Sequence, residues 1–173
     1  MFRYDSGGVV LLSSMLRRRA GLHAEAYAGR FLFAPLGIER QSWRANLAGH
    51  THAGGGLHLT ARDTAKLGQL YIQGGRWGGA QIVPEAWVRE SLHRHVAFDT
   101  YGRGVVGYGY LWWVLSGGAY AAIGRWGQYL FIVPERDLVV AVFSRAWPGT
   151  DHSKPLELLY DHIIPAVLRD KRQ

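Results

Sequence analysis

The sequence predicts an α+β domain in which an antiparallel sheet meander is flanked by helices. Helical periodicity dominates residues 1–100, whereas residues 101–173 hold a series of β-prone runs and one closing helix. The runs are joined by turns too short for a crossover helix, so neighbouring strands must be antiparallel. Because no βαβ alternation is present, this order is that of an α+β fold, and we expect residues 1–173 to belong to a single domain.

The predicted helices of the first hundred residues rest on apolar spacing and on start and stop signals. The strongest covers 60–73, where Thr60 and Asp63 form a capping-box pattern and Gly74 follows the end. A short helix begins at Pro84, because proline is favoured at the first helical position. Two further helices are predicted at 9–19 and 23–33.

The second part of the chain is rich in aromatic and β-branched residues, which favour strands. Tight turns separate its apolar runs, among them the polar turn 134–137. A last helix covers 156–168 and is interrupted near Pro165. The predicted strands are 108–115, 120–123, 129–133 and 138–143.

The composition excludes several classes of protein. The chain has 173 residues, no cysteine, and no apolar run long enough to cross a bilayer. A disulfide framework, a thiol nucleophile and a thiolate metal site are therefore excluded, while the compartment stays open. The net charge is +7, but the densest basic cluster, 17–19, ends a helix where cations complement the helix dipole. We therefore expect no membrane span and no nucleic-acid partner.

Two sequence patterns suggest a cofactor or a metal, but the predicted structure around each of them does not support it. The glycines of 102–107 match a dinucleotide-binding pattern by letter, but that pattern needs a strand before it and a helix after it. The histidine pairs at 50/52 and 93/95 fall in loops or at a helix end, and no third metal ligand converges on either. We therefore predict no cofactor and no metal.

The segment Tyr4-Asp5-Ser6 is the first candidate site. A tyrosine can act as a general base when neighbouring cations lower its pKa from about 10. The triplet stands just before a predicted helix, so Ser6 could instead be the N-cap of that helix.

The segment 125–128 is the second candidate. A cation at Arg125, followed by Gly127, could bind a substrate carboxylate at a strand edge, and the N–H of Gln128 could face an oxyanion. The alternative is a plain turn between two strands with Arg125 in solvent. Upstream, Trp112 belongs to an aromatic run that could line an apolar pocket or stack on bases. Adjacent tryptophans point to opposite faces of a strand, so at most one of the pair lines any cleft.

Taken together, these segments resemble the serine β-lactamase and penicillin-binding-protein family, in its class C-like branch. Phe2-x-Tyr4-x-Ser6 is similar to the second motif of that family, and its Tyr-x-Ser form resembles the branch of the 6-aminohexanoate-dimer hydrolases. Further segments of the same resemblance follow in chain order at 53–70, 74–79, 83–88, 108–113 and 127–140.

The resemblance implies acyl transfer from a small-molecule amide or ester to a serine in a Ser-x-x-Lys motif. By the same resemblance Tyr4 is the proton shuttle, with Ser6 as its hydrogen-bonding partner. Arg125, Trp126 and Gly127 then form the third motif, and Gln128 supplies an oxyanion N–H. Trp112 is a further candidate for substrate binding, as a residue that could line the cleft. Trp126 stands where the family commonly has a hydroxyl residue, a departure that disfavours β-lactam recognition.

No serine of this chain is followed by a lysine three residues later; the lysines are Lys66, Lys154 and Lys171. The resemblance places the Ser-x-x-Lys helix and two strands upstream of Tyr4. We therefore expect a partial β-lactamase-like fold that is inactive as given, with an open sheet edge through which it could dimerise. Two alternatives stay open: a binding module that holds a ligand without turnover, and a basic, aromatic nucleic-acid binder. Only the nucleic-acid binder predicts a steep salt dependence.

Overall fold

In the computed structural model, the chain folds around a six-stranded antiparallel sheet that is covered by helices on both faces. The structure describes residues 2–47, 49–99, 102–145 and 153–170. The helices α1–α6 are Ser6–Ala20, Ala24–Ala28, Ala61–Ile72, Glu85–Leu92, Lys154–Glu157 and Ile164–Asp170. The strands β1–β10 are Ser42–Trp43, Leu57–His58, Arg76–Trp77, Ala80–Gln81, Val96–Ala97, Val105–Tyr108, Trp113–Leu115, Tyr120–Gly124, Gln128–Val133 and Leu138–Phe143.

The large sheet is a meander, as predicted. Its strand order is β10-β9-β8-β7-β6-β5, and every neighbouring pair is antiparallel. Short turns join successive strands, so each strand pairs with the next one along the chain. The fold class is therefore confirmed as mixed helix and antiparallel sheet.

Each face of the sheet has its own apolar core. One face centres on Phe131 and is covered by the C-terminal helical segment through Leu156 and Leu159. The other face carries Leu130 and Ile132 and is covered by α3. The alternation of β9 between the two cores explains why this strand is almost wholly buried, and why it reads in sequence as a continuous apolar run.

Helix α3 packs closely on the sheet because Gly68 faces it. A Cβ added at Gly68 would lie 2.6 Å from Val139 Cγ1 and 3.0 Å from Leu130 Cδ1. The glycine thus sets the distance between the helix and strands β9 and β10.

The predicted cap of α3 is confirmed. Thr60 is the N-cap, and its hydroxyl oxygen accepts from the Asp63 N–H at 3.1 Å and donates to the Asp63 carboxylate at 2.7 Å. Lys66 adds an ion pair to the same carboxylate at 2.9 Å, and its ammonium also donates to the Gly37 carbonyl oxygen.

Stability is expected to fall in acid partly through Asp63. Hydrogen bonds from Thr60 and Lys66 hold the pKa of Asp63 below its ordinary value of 3.8. A carboxyl whose pKa is depressed by folding stabilises the fold above its unfolded pKa, and that contribution is lost as the pH falls through the folded pKa. Thermal melting between about pH 5 and pH 2 should therefore show a smaller acid-induced loss for Asp63→Asn than for the unaltered chain. Equal losses in the two proteins would contradict this assignment.

Several elements differ from the sequence prediction. The run 108–115 is not one strand: β6 and β7 form a hairpin across Gly109–Trp112, in which Leu111 has a φ of 66°. Gly109 lies so close to the end of α4 that an added Cβ would meet the Ser91 carbonyl oxygen at 2.3 Å, and the Tyr110 N–H donates to the same oxygen. This tertiary contact, which local propensity does not encode, turns the chain back.

The helices also depart in detail from their predicted bounds. Helix α1 starts at Ser6, three residues earlier than predicted, and α2 widens into a π-helical turn over Gly29–Phe33. A second π-helical turn, Leu158–Ile163, joins α5 to α6, so the closing helix continues through Pro165. Strand β5 joins the main sheet from within the segment predicted as mainly helical.

Part of the apolar surface of α1 is open. Leu11, Leu12 and Met15 are each more than half exposed and lie on one face of the helix. Within the described ranges, no helix is both long and apolar enough to cross a membrane.

Candidate active site

Tyr4 lies on the extended segment that leads directly into α1. Asp5 is the N-cap of that helix, and its carboxylate accepts hydrogen bonds from the N–H groups of Gly7 at 2.8 Å and Gly8 at 3.3 Å. Ser6 is the first helical residue, so the alternative prediction that Ser6 is the cap is wrong. The cap fixes how the chain enters α1, and with it the position of Tyr4.

Ser6 is partly buried beneath the glycine-rich loop that follows β1. A Cβ added at Gly54 would lie 2.6 Å from the Ser6 carbonyl oxygen, so glycine is required for this approach. The loop therefore holds the start of α1 in place, which accounts for a glycine run that has no helix or strand of its own.

The Tyr4 ring is held in an aromatic cluster formed by Phe2, Tyr4, Phe98, Tyr108 and Trp113. It stacks on Trp113 at a centroid distance of 5.8 Å and an interplanar angle of 12°, and meets the edge of Tyr108 at 6.2 Å. Phe2 anchors the same segment against Phe98 and Tyr108. Tyr4 is 51% exposed, and no described residue hydrogen-bonds its hydroxyl group. The ring is thus positioned while its hydroxyl group stays accessible.

Arg125, Trp126 and Gly127 form the turn between β8 and β9, where Gly124 pairs with Gln128. Trp126 and Gly127 both have left-handed backbones, with φ values of 64° and 85°. A non-glycine residue in this region costs about 1 kcal/mol, so the surrounding structure must hold it. The Arg125 guanidinium lies 5.6 Å over the Trp126 ring, and no acidic partner for it is found among the described residues.

The residue after β10 secures this turn. The backbone N–H and the hydroxyl of Ser144 each donate to the Gly127 carbonyl oxygen at 3.1 Å. The Gln128 side-chain amide donates to the Ser144 carbonyl oxygen at 2.7 Å. The turn predicted as a substrate-binding motif is therefore fixed by hydrogen bonds at its base while its tip, Trp126, is 54% exposed.

Trp112, a predicted substrate-binding residue, lies away from Tyr4. Its ring is buried under α3, against Tyr71 at 4.7 Å, on the opposite face of the sheet from Trp113. The strand alternation that separates adjacent tryptophans is observed, but Trp113 is the member of the pair that faces Tyr4.

Strand β8 links the region of Tyr4 to the 125–127 turn. The Trp113 ring stacks on Tyr4. Trp113 pairs with Ala121 of β8, and Gly124 ends that strand three residues further on. Three residues of strand span about 10 Å. Both predicted parts of the site thus adjoin strand β8.

A pocket of about 510 Å³ with a mixed polar and apolar lining lies elsewhere, near the C-terminal end of α1. Helix α1 has 15 residues, so its two ends are about 22 Å apart. This pocket is therefore not part of the Tyr4 site. It is lined by His23, Glu25, Ala26, Gly29, Arg30, Gln41, Ala45, Gly49 and Thr51.

The two lysines within the described residues are both engaged away from Tyr4. Lys66 is engaged with Asp63, and Lys154 pairs with Glu157 at 2.8 Å; Lys171 lies outside the described residues. In the part of the chain that the structure describes, no three His, Asp or Glu side chains are grouped as a metal site would require.

The α+β domain with its antiparallel meander sheet has a β-lactamase/transpeptidase-like fold. Residues 1–161 match the family model described as Beta-lactamase, and the chain belongs to that family. The resemblance deduced from the sequence motifs is confirmed by this match.

Its similar proteins include hydrolases and penicillin-binding-protein homologues. It is 29% identical to the 6-aminohexanoate-dimer hydrolase of Paenarthrobacter ureafaciens over 161 residues, which cover 87% of this chain and 40% of the relative. A Bacillus anthracis structure assigned as a 6-aminohexanoate-dimer hydrolase shares the fold with a TM-score of 0.82 at 24% identity, covering 99% of this chain and 45% of the other. The octameric penicillin-binding protein homologue of Pyrococcus abyssi has a TM-score of 0.72 at 22% identity, with 92% and 42% covered. The chain thus spans less than half the length of these relatives.

Sequence reasoning missed two residues of this region. Trp113 stacks with Tyr4, but the sequence predicted only that Trp112 and Trp113 lie on opposite faces. That alternation does not decide which of the two tryptophans faces which core. Ser144 carried no signal of its own, because its role depends on the β9–β10 register that places it opposite Gly127.

Proposed function

We propose that this chain supplies the tyrosine and the substrate-binding turn of a serine hydrolase that cleaves amide or ester bonds in small molecules. The observation that carries the proposal is the exposed Tyr4 ring, stacked on Trp113 immediately before the capped start of α1. A general base must be positioned and accessible, and this arrangement provides both properties. The family match over residues 1–161 supports acyl transfer to a serine as the chemistry.

In the proposed reaction, a serine oxygen attacks the substrate carbonyl carbon as Tyr4 takes the serine proton. The tetrahedral intermediate collapses when Tyr4 returns that proton to the leaving nitrogen or oxygen, leaving an acyl-serine. Water then attacks the acyl-serine carbonyl carbon as Tyr4 takes a proton from it; the bond to the serine oxygen breaks as Tyr4 returns that proton to it, which releases the acid and the free serine. We propose that a backbone N–H of the 125–128 turn stabilises the oxyanion, which is the role of fixed donors in such sites.

The proposed class of substrate is supported by the cation of the 125–127 turn and by the activity of a similar protein. Arg125 presents a cation that is oriented by Trp126 and has no acidic partner among the described residues, so it suits a carboxylate on the substrate. A relative 29% identical over 161 residues is a 6-aminohexanoate-dimer hydrolase. We therefore propose linear amides that bear a free carboxylate, rather than β-lactams, as the first substrates to test.

The chain alone is proposed to be inactive. No serine in it is followed by a lysine three residues later, and without such a lysine the serine hydroxyl has no cation beside it to assist its deprotonation. We propose that the Ser-x-x-Lys segment comes from sequence preceding Tyr4, as the length of the relatives allows.

Turnover of a chromogenic ester and of a linear 6-aminohexanoate dimer tests this proposal. Two proteins are compared: the chain as it stands, and an extended form in which an upstream segment from its own gene or from the Paenarthrobacter relative precedes Tyr4. The expected result is turnover by the extended form only, abolished when its Ser-x-x-Lys serine is changed to alanine. Turnover by the short chain would overturn the assignment of roles. Saturable binding without turnover by the extended form would instead favour a non-catalytic binding module.

A further inference from the structure

The pocket near the C-terminal end of α1 has the features of a second ligand site. Helix α2, its N-cap His23 and the π-helical turn that follows form one wall, and the segment 41–51 forms the other. We call this cavity the α2 pocket. Its volume of about 510 Å³ lies within the range of about 300–1,000 Å³ that is usual for sites of small molecules.

The two walls are joined by Thr51, which is 4% exposed. Its hydroxyl oxygen accepts a hydrogen bond from the Glu25 N–H at 3.2 Å, and its carbonyl oxygen accepts one from the Ser13 hydroxyl group of α1 at 2.8 Å. The Glu25 carboxylate accepts a further hydrogen bond from the Trp43 backbone N–H at 3.1 Å. Hydrogen bonds among α1, α2 and the segment 41–51 therefore preform the pocket, as is usual for ligand sites.

Glu25 and Arg30 bring opposite charges to the α2 pocket without pairing with each other. Within the described part of the chain neither side chain has an oppositely charged partner, because the ion pairs found there join other residues. The Arg30 guanidinium lies 5.1 Å over the Phe31 ring, which leaves its N–H groups available. Each of the two charges can therefore bind a group of opposite charge on a ligand.

Gln41 adds a hydrogen-bond acceptor to the same lining. Its Oε1 atom is buried, and no described group donates a hydrogen bond to it. The Nδ1 atom of His50 is also buried without a partner among the described residues, and the His50 ring lies 6.2 Å from the ring of His23. Roughly 90% or more of buried polar groups are satisfied in native proteins, so such atoms indicate a place for a bound molecule.

The π-helical turn Gly29–Phe33 sets the distance between the two charged residues. The Ala34 N–H donates to the Gly29 carbonyl oxygen at 2.9 Å, five residues earlier in the chain. Such widened turns are rare and occur frequently at functional sites. Glu25 and Arg30 are five positions apart across this junction, so about 7 Å separates their backbones along the helix axis.

We propose that the α2 pocket binds a small linear zwitterion of the ω-amino acid class. Its carboxylate binds Arg30, and its ammonium group binds the Glu25 carboxylate and the Gln41 amide oxygen. The separation of the two charged residues favours several methylene groups between the charges of the ligand, as opposed to the single carbon of an α-amino acid. Ala26 and Ala45 supply apolar lining on which these methylene groups pack.

Calorimetric titration of the chain with 5-aminopentanoate tests the proposal. Pentanoate and pentylamine are matched controls, since each keeps the carbon chain and only one of the two charges, and glycine is the control for the separation of the charges. We expect saturable binding of 5-aminopentanoate. Binding of each control should be weaker by about tenfold or more, because each loses a charged contact or cannot make both at once.

Substitutions assign the two ends of the ligand. Arg30→Gln should weaken binding of 5-aminopentanoate about tenfold and leave pentylamine unaffected, because only the carboxylate contact is removed. Glu25→Gln should weaken it similarly and leave pentanoate unaffected, since glutamine keeps an oxygen for the Trp43 N–H. Arg89→Gln is the matched control: Arg89 pairs with Glu85 on α4, outside the pocket lining, so binding should not change.

The absence of saturable binding to the folded chain would overturn the proposal. Equal affinity for pentanoate and 5-aminopentanoate would also overturn it, because the site would then recognise only an anion. Binding that is weakened by Tyr4→Phe but not by Arg30→Gln would place the ligand at the Tyr4 site and overturn it as well. The extended form must show the same pattern of affinities. No turnover is measured, so this proposal and the catalytic proposal fail separately.

Discussion

Replacing Tyr4 with phenylalanine in the extended, active form is expected to lower kcat by about 10²–10⁴-fold, with KM changed only a few-fold. Phenylalanine keeps the ring that stacks on Trp113 and meets Tyr108, so the entry into α1 is preserved. Only the hydroxyl group that accepts and returns the proton is removed. Steady-state kinetics on a chromogenic ester measure both constants, and the free energy of unfolding should stay within about 0.5 kcal/mol.

Tyr27→Phe is the matched control for this variant. It makes the same chemical change on α2, where the ring packs against Phe31 at 4.7 Å and takes no part in the aromatic cluster. Its kcat should equal that of the parent enzyme. If Tyr4→Phe kept more than about a tenth of the parent kcat, which means a rise of under about 1.4 kcal/mol in the activation barrier, Tyr4 would not be the proton shuttle.

Replacing Gly68 with valine is expected to lower the free energy of unfolding by about 2–3 kcal/mol. The valine Cβ alone would overlap Val139 Cγ1 at 2.6 Å and crowd Leu130 and Ile132, so α3 must move away from the sheet. Because these contacts lie in the core shared by α3, β9 and β10, the overlap cannot be relieved toward solvent. Urea unfolding monitored by tryptophan fluorescence gives the change, since Trp112 lies in the same core.

Replacing Gly29 with valine is the matched control for Gly68→Val. It makes the same change of residue at a helical glycine, but without a steric overlap. Gly29 has helical dihedral angles, and an added Cβ meets nothing within 4 Å. Gly29→Val should therefore change stability by less than about 0.5 kcal/mol. Equal effects at the two glycines would show that α3 does not press on the sheet as described.

Periodicity and turn spacing predicted the elements that are set locally. Helix α3 was predicted from its cap at Thr60, and the strands β8 to β10 from apolar runs separated by turns of three or four residues. In these segments the local preference and the tertiary environment agree, which is why the prediction succeeds.

The failures fall where a tertiary contact decides the structure. The hairpin at 109–112 depends on the approach of Gly109 to the end of α4, and the choice between Trp112 and Trp113 depends on which helix covers which face. The hydrogen bonds between Ser144 and the 125–127 turn depend on the register of β9 and β10. None of these can be deduced from spacing along the chain, because each joins residues that are distant in sequence.

Intact-mass analysis after incubation with a fluorophosphonate tests the central claim most directly, because the reagent records an activated serine without needing the substrate. The short chain and the extended form are treated side by side, with the Ser-x-x-Lys serine-to-alanine variant as the control. We predict one covalent adduct on the extended form and none on the other two proteins. An adduct on the short chain, at Ser6 or any other serine, would contradict the account, and so would the failure of a folded extended form to label.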